Sequence, residues 1–177
     1  MPYEARKLAW SFSRSLTRVA AWSKALKRWR VELTLVEDVR RALLECDFPA
    51  TRLELEITES IAASKSDRLL NVLNSLRELG ISFSLDDFGT GYSALVHLQR
   101  LPIDRVKIDK SFVAEIETNK RSRALIEAVI RMTQALELKT IAEGVERPGQ
   151  RELLIQLGCD ELQGYLLGRP GDLATRR

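Results

Sequence analysis

Acidic side chains recur in this sequence at or just past the ends of short alternating segments: Glu56 and Glu59, Asp86 and Asp87, Asp109, then Glu143 and Glu146. Carboxylates brought to one place repel one another, and burying them unpaired is costly. Divalent cations resolve that conflict. An all-oxygen donor set, in a chain with a single histidine and no cysteine cluster, points to Mg2+ or Mn2+ rather than zinc. Adjacent Asp86 and Asp87 suit a bridge between two ions, the arrangement that clamps the attacking and leaving oxygens in phosphodiester hydrolysis. Lys107, two residues before Asp109, is placed to orient an attacking water or to neutralise phosphate charge. Gly89, Thr90, Gly91 and Tyr92 form a strand-to-helix loop able to approach a ligand closely. Singly, each feature has an ordinary reading: a turn or cap for Asp86-Asp87, solvated surface for Glu56 and Glu59, an exposed strand lysine for Lys107, a surface residue for His97. What the ordinary readings do not require is that strand after strand delivers its acid to the same end.

The elements that would position these residues alternate with a regular beat. Val36, Val39, Ala42 and Leu43 give a helical stripe over 32–45, and Leu53 to Thr58 alternates strictly as a strand. Leu69, Leu70, Leu73 and Leu76 mark a second helix, with Gly80 just past its end. Strands follow at 81–88 and 105–109, a helix at 121–136, a strand at 138–145, a helix opened by Pro148 and stopped by Gly158, and a last strand at 162–167. Strand then helix, repeated, implies parallel strands with helical crossovers. Within Leu53–Thr58 the polar side chains share one face; Ser82, Ser84 and Asp86 repeat this, as do Lys107 and Asp109. An open doubly wound sheet is apolar on both faces, so a barrel, polar inside at its active end and helix-packed outside, fits better.

Charge is distributed unevenly. Residues 1–30 carry eight Lys/Arg against Glu4 alone, and all three tryptophans (Trp10, Trp22, Trp29); the remainder carries twenty basic and twenty-four acidic side chains. The sequence thus divides into a basic leader, 1–30, and a mildly acidic body, 31–177. Cys46 and Cys159 lack metal-site spacing and read as free thiols of a reducing compartment, the cytoplasm. No apolar run approaches the ~20 residues of a membrane span.

At these residues the sequence resembles the EAL domain family, the cyclic di-GMP phosphodiesterases of bacteria. The matching segments are Leu53–Ser60 (LELEITES), Leu85–Ser93 (LDDFGTGYS), Ile103–Val113 (IDRVKIDKSFV), Ile141–Glu146 (IAEGVE) and Leu157–Pro170 (LGCDELQGYLLGRP). The resemblance implies a (β/α)8-like, TIM-type barrel, here an α/β fold with about five recognisable β/α units. It also implies hydrolysis of cyclic di-GMP to linear pGpG with two Mg2+ or Mn2+ ions. By motif, Glu56, Asp86, Asp87 and Glu143 would be metal ligands, Lys107 and Asp109 would stand beside the attacking water, and Gln163 would support the site. Glu59 would hold the loop after Asp87, through which, with the following helix, a homodimer is implied. A diguanylate cyclase or sensor domain is the implied companion, and no nucleic acid is expected as a partner.

The family's signature Glu-Ala-Leu stands on an early strand well upstream of the Glu56 motif, and neither it nor the Asn-Leu-Ser motif that should follow occurs in these 177 residues. Lys24 stands where the amide oxygen of that Asn is expected. The reading therefore predicts an incomplete metal site with impaired hydrolysis, the alternative being a non-catalytic module that binds cyclic di-GMP or a protein. Five strands cannot close such a barrel, which leaves sheet edges open to pairing. For the leader the first expectation is sequence foreign to the domain, from a frameshift or misplaced start. The rival is a basic helix striped by Leu8, Phe12, Leu16, Val19, Trp22, Leu26 and Trp29 that covers the open edge; membrane contact is disfavoured.

Overall fold

The structure, a computed structural model, describes residues 10–11, 34–63, 66–89 and 98–169. Five parallel strands form its centre: β2 (Glu54–Thr58), β3 (Ser82–Phe88), β4 (Arg105–Ile108), β5 (Lys139–Ala142) and β6 (Glu161–Leu162). Each pairs with its predecessor in sequence, so the order has no reversal of the kind that defines a doubly wound sheet. A two-residue strand, β1 (Trp10–Ser11), adds to the free edge of β2 in antiparallel sense, Trp10 opposite Leu55. Among the described residues the sheet does not close on itself.

Helices α1 (Thr34–Glu45), α2 (Glu59–Ala62), α3 (Asp67–Glu78), α4 (Lys110–Glu115), α5 (Lys120–Ala135) and α6 (Pro148–Gln156), with a 3-10 turn at Ala50–Arg52, complete the described elements. Sequence chemistry sets their ends. Ser66 accepts from the Leu69 N–H at the start of α3, and Asn119 accepts from the N–H groups of Arg121 and Ser122 at the start of α5. Gly80 and Gly158, at φ +95° and +84°, take up the left-handed conformation just past α3 and α6.

The core lies between the convex face of the sheet and the helices. Leu55 and Ile57 of β2, Phe83 and Leu85 of β3, and Val106 and Ile108 of β4 are buried there against Leu69, Val72, Leu73 and Leu76 of α3 and Ile126 and Ile130 of α5. Full burial of such a side chain contributes roughly 1.5–3 kcal/mol, so this face stabilises the fold and leaves the other free for polar work. The concave face carries the alternate residues: Glu54, Glu56, Ser82, Ser84, Arg105 and Lys107. Strand β5 hides its alternation, because Thr140 lies on the core side. Its N–H and Oγ1 both donate to Asp160, at 2.8 and 2.9 Å, which satisfies a fully buried hydroxyl.

Two strands are shorter than their sequence patterns suggest. β5 ends at Ala142 because Gly144 takes φ +71°. β6 ends at Leu162, and the apolar run Tyr165–Leu167 belongs to a turn. There the chain folds against Val145: the Val145 N–H donates to the Gln163 carbonyl and the Leu166 N–H to the Val145 carbonyl. A Cβ on Gly164 would come within 2.2 Å of the Val145 backbone, so only glycine permits that approach. In the leader, Trp10 and Ser11 are extended, which interrupts the anticipated helical stripe; its other positions lie outside the described residues. Both cysteines are free thiols. Among the described residues no helix is long and apolar enough to cross a membrane.

Candidate active site at the strand ends

Parallel strands in register bring their C-terminal ends together, and Lys107 on the central strand β4 is the point of convergence. Its Nζ lies 2.7 Å from Glu56 Oε1 on β2, 3.3 Å from Asp86 Oδ1 on β3 and 2.5 Å from Glu143 Oε1 just past β5. The Lys107 and Glu56 side chains are each 6 % exposed. One ammonium therefore faces three carboxylates, and the cluster carries surplus negative charge in a largely buried setting, with Asp86 and Glu143 only partly open to water.

That imbalance sets the proton affinities. Burial alone would lower the Lys107 pKa, but hydrogen bonds from its ammonium to Glu143 and Glu56, together with their charges, raise it above the ordinary 10.5. Lys107 is a permanent cation and not a base. For Glu56, burial raises the pKa, the hydrogen bond and charge of Lys107 lower it, and the charges of Asp86 and Glu143 raise it; the net is upward from 4.5. A lysine shared among three acids cannot compensate each of them fully.

Asp86 and Asp87 sit in a break of the strand. Leu85 pairs with Val106 and Phe88 with Ile108, so two residues on β3 stand opposite Lys107 alone. This is a β-bulge, and Asp87 absorbs it with φ +58°. Leu85 and Phe88, three apart, both reach the core as a result. In an unbroken strand the two adjacent aspartates would point to opposite faces; the bulge releases Asp87 from that rule. Sequence alternation could not show it, although the Asp-Asp-Phe-Gly run marks where the alternation fails.

The remaining expected residues are placed as follows. Glu59 is buried as the first residue of α2. Asp109 caps α4: its Oδ1 accepts from the N–H of Ser111 at 2.9 Å and from Ser111 Oγ. Glu146 is exposed, and its N–H donates to Gln150 Oε1. Gln163 donates through its backbone to the Ala142 carbonyl and lines a cavity of about 440 Å3 on the concave face with Glu54, Ser82, Arg105 and Glu161. Gly89 follows β3 at φ +100°. Thr90, Gly91, Tyr92 and His97 lie outside the described residues. Sequence reading gave no role in the site to Ser84, Arg105 or Gln150. Arg105 pairs with Glu54 and Glu161 one layer below Lys107, and the signal for it was its place in the same alternation as Lys107.

Two buried side-chain oxygens among the described residues accept or donate no hydrogen bond, Ser84 Oγ and Asp86 Oδ1, and both belong to the concave face of β3 beside this cluster. Hard oxygen donors, surplus negative charge and a buried carboxylate oxygen ion-paired with Lys107 but without a hydrogen bond suit a divalent cation chemically. The spacing suits an ammonium: no three acids among the described residues are drawn together closely enough to hold an ion as they stand.

Comparison with known proteins agrees with this architecture. The sequence profile described as EAL domain matches residues 20–170. A cyclic di-GMP phosphodiesterase of Pseudomonas aeruginosa, NbdA, is 47% identical over 142 residues, 80% of this chain and 18% of that protein. Among solved structures, the PaMucR phosphodiesterase in complex with cyclic di-GMP superposes with a TM-score of 0.76 at 43% identity, over 81% of this chain and 58% of that one. The manganese and cyclic di-GMP complex of BlrP1 from Klebsiella pneumoniae gives 0.73 at 31% identity, over 78% of this chain and 36% of its own. The chain thus spans about a fifth of the NbdA length.

Proposed function

Since this chain belongs to the EAL domain family, we propose that it binds cyclic di-GMP at the C-terminal ends of β2–β5 and hydrolyses one phosphodiester bond to give linear pGpG. The observation that carries this reading is the convergence of Glu56, Asp86 and Glu143 on Lys107. Glu56, Asp86, Asp87 and Glu143 would hold divalent cations, Mg2+ or Mn2+. Such ions supply Lewis-acid polarisation of the phosphate oxygens.

The residues of the chain divide the remaining work. Lys107, permanently charged, offsets the carboxylates and presents positive charge to the scissile phosphate. Asp109 commits one oxygen to Ser111, so any contact with the attacking water falls to the other. Glu56, with its pKa raised by burial, is a weaker acid than an ordinary glutamic acid and the more ready to hold a proton. In the reaction, water forms a P–O bond, the P–O3′ bond breaks, and the water's proton passes to the leaving oxygen. Neither Glu-Ala-Leu nor Asn-Leu-Ser occurs in these 177 residues, and binding is expected to exceed turnover in the isolated chain.

Calorimetric titration with cyclic di-GMP, with and without Mn2+, joined to chromatographic detection of pGpG, tests this. Cation-dependent binding that is lost in Asp86→Asn and Glu143→Gln, with slow pGpG release, is expected. Binding without any pGpG would reduce the reading to a ligand-binding module, and absence of binding would overturn it.

A further inference from the structure

Lys107 and Glu143 make the closest of the ion pairs in the cluster, yet one stands on β4 and the other just past β5, each segment followed by its own helix. Something must fix the two strand ends relative to one another. The β4–β5 ladder does so as far as Ala142, opposite Ile108, and its last backbone tie is the Glu143 N–H donating to the Ile108 carbonyl at 3.1 Å. Beyond it, the loop 143–147 runs over the start of α4, where an added Cβ on Gly144 would meet Lys110 Cβ at 2.6 Å.

The side chain of Gln150, in the first turn of α6, closes the far end of this loop. It is 1 % exposed. Its Oε1 accepts from the N–H groups of Glu146 and Arg147, at 2.8 and 2.9 Å, and its Nε2 donates to the Val113 carbonyl of α4 at 3.2 Å. Arg147 adds a bond from its guanidinium to the Ala114 carbonyl at 2.8 Å and an ion pair with Glu117. One buried amide thus joins the loop that carries Glu143 to the helix that follows Lys107. With the Lys107–Glu143 pair at one end and the Gln150–Val113 bond at the other, the two segments form a closed circuit.

Resting on the functional reading above, we propose that Gln150 is a positioning residue, which holds the loop after β5 against α4 and so sets Glu143 on Lys107. A glutamine that only caps α6 would need its acceptor oxygen alone; the donor half of the amide is spent on α4, across the loop. Gln150→Leu removes both halves and leaves the N–H groups of Glu146 and Arg147 and the Val113 carbonyl without this partner. Gln150→Glu keeps the acceptor for both N–H groups but removes the donor to Val113 and sets a carboxylate oxygen against that carbonyl.

The test needs neither metal nor cyclic di-GMP. In 1H–15N spectra of the whole chain, the side-chain ammonium of Lys107 and the backbone amides of Lys107 and Glu143 report their pairing. Gln150→Leu is expected to shift the two amides and to lose the protected ammonium signal. Gln150→Glu, which keeps the cap but loses the bond to Val113, is expected to shift them as well, and parent-like signals in it would mean that the amide only caps α6. Leu154→Ala, which empties core volume in the same helix without touching the bridge, should lower the thermal midpoint and leave these signals in place. If Gln150→Leu does not fold, Gln150→Asn, one methylene too short to span both segments, takes its place. Unmoved signals in the Leu or Asn variant, or equal movement in Leu154→Ala, would overturn the proposal. Failure of the chain to bind or cleave cyclic di-GMP would instead count against the functional reading, because the spectra are read without ligand.

Discussion

Two charged layers share the concave face of the same strands, and they are built differently. In the upper layer Lys107 meets Glu56, Asp86 and Glu143, with the lysine and Glu56 side chains each 6 % exposed. In the lower layer, two residues earlier on β4, Arg105 meets Glu54 and Glu161, with side chains 26 %, 19 % and 44 % exposed. Arginine directs a planar fork at its two partners and fixes them, whereas lysine is a compact point charge that can be exchanged for another cation. The lower layer is wetter and nearer to balance; the upper is drier and has one cation for three acids. The lower layer is a strut between β2, β4 and β6; under the proposed function, the upper layer is a site in which Lys107 serves as a provisional counter-ion.

If that contrast is right, Lys107→Met should give the largest effect. Removing the cation of a buried ion cluster leaves uncompensated charge, at a cost of about 3–5 kcal/mol. Urea unfolding at neutral pH should show this loss, and it should shrink as the pH falls and the acids take up protons. Added Mn2+ should restore part of it by taking the lysine's place among the carboxylates. A variant as stable as the parent chain, with no response to Mn2+, would erase the distinction between the layers.

Arg105→Met should give less, about 1–2 kcal/mol, because its partners keep access to water and exposed ion pairs contribute little. Its Mn2+ and cyclic di-GMP affinities should stay within about a factor of two of the parent's, since sites without shared partners behave additively. A loss of affinity matching that of Lys107→Met would mean that the strut and the site are one unit.

How far the sequence displays these layers depends on which physical signal carries each residue. Glu54, Glu56, Ser82, Ser84, Arg105 and Lys107 all follow the two-residue period of a strand, so the polar inner face was legible, and with it the barrel-like order of strands. In the sequence Asp87 stands out only as the neighbour of Asp86, because a β-bulge is a tertiary compromise with no period of its own. The early end of β6 escaped the same way: Tyr165–Leu167 reads as strand until Gly164 is seen packed on the Val145 backbone. Asp109 reads as one more acid in the cluster, while its Oδ1 serves the first turn of α4. Gln150 gave no signal, since a lone glutamine in a first helical turn is ordinary until its two partners prove to come from separate elements.

The smallest effect follows from Glu56, and its sign is worth fixing. Burial holds its pKa above the ordinary 4.5 in the folded chain, so the folded state binds more protons than the unfolded state over the interval between the two values. Stability contributed by this group is therefore full below 4.5 and lost as the pH rises through the raised value. Glu56→Gln keeps an oxygen for the Lys107 ammonium and removes the titration. Denaturation of both proteins from mildly acidic to neutral pH should show the parent losing stability relative to the variant as the pH rises. The same downward slope should persist in Arg105→Met, whose change lies in the other layer. A parent chain that gained stability on the variant as the pH rose would mean that Lys107 compensates Glu56 in full, and that the upper layer is as well balanced as the lower.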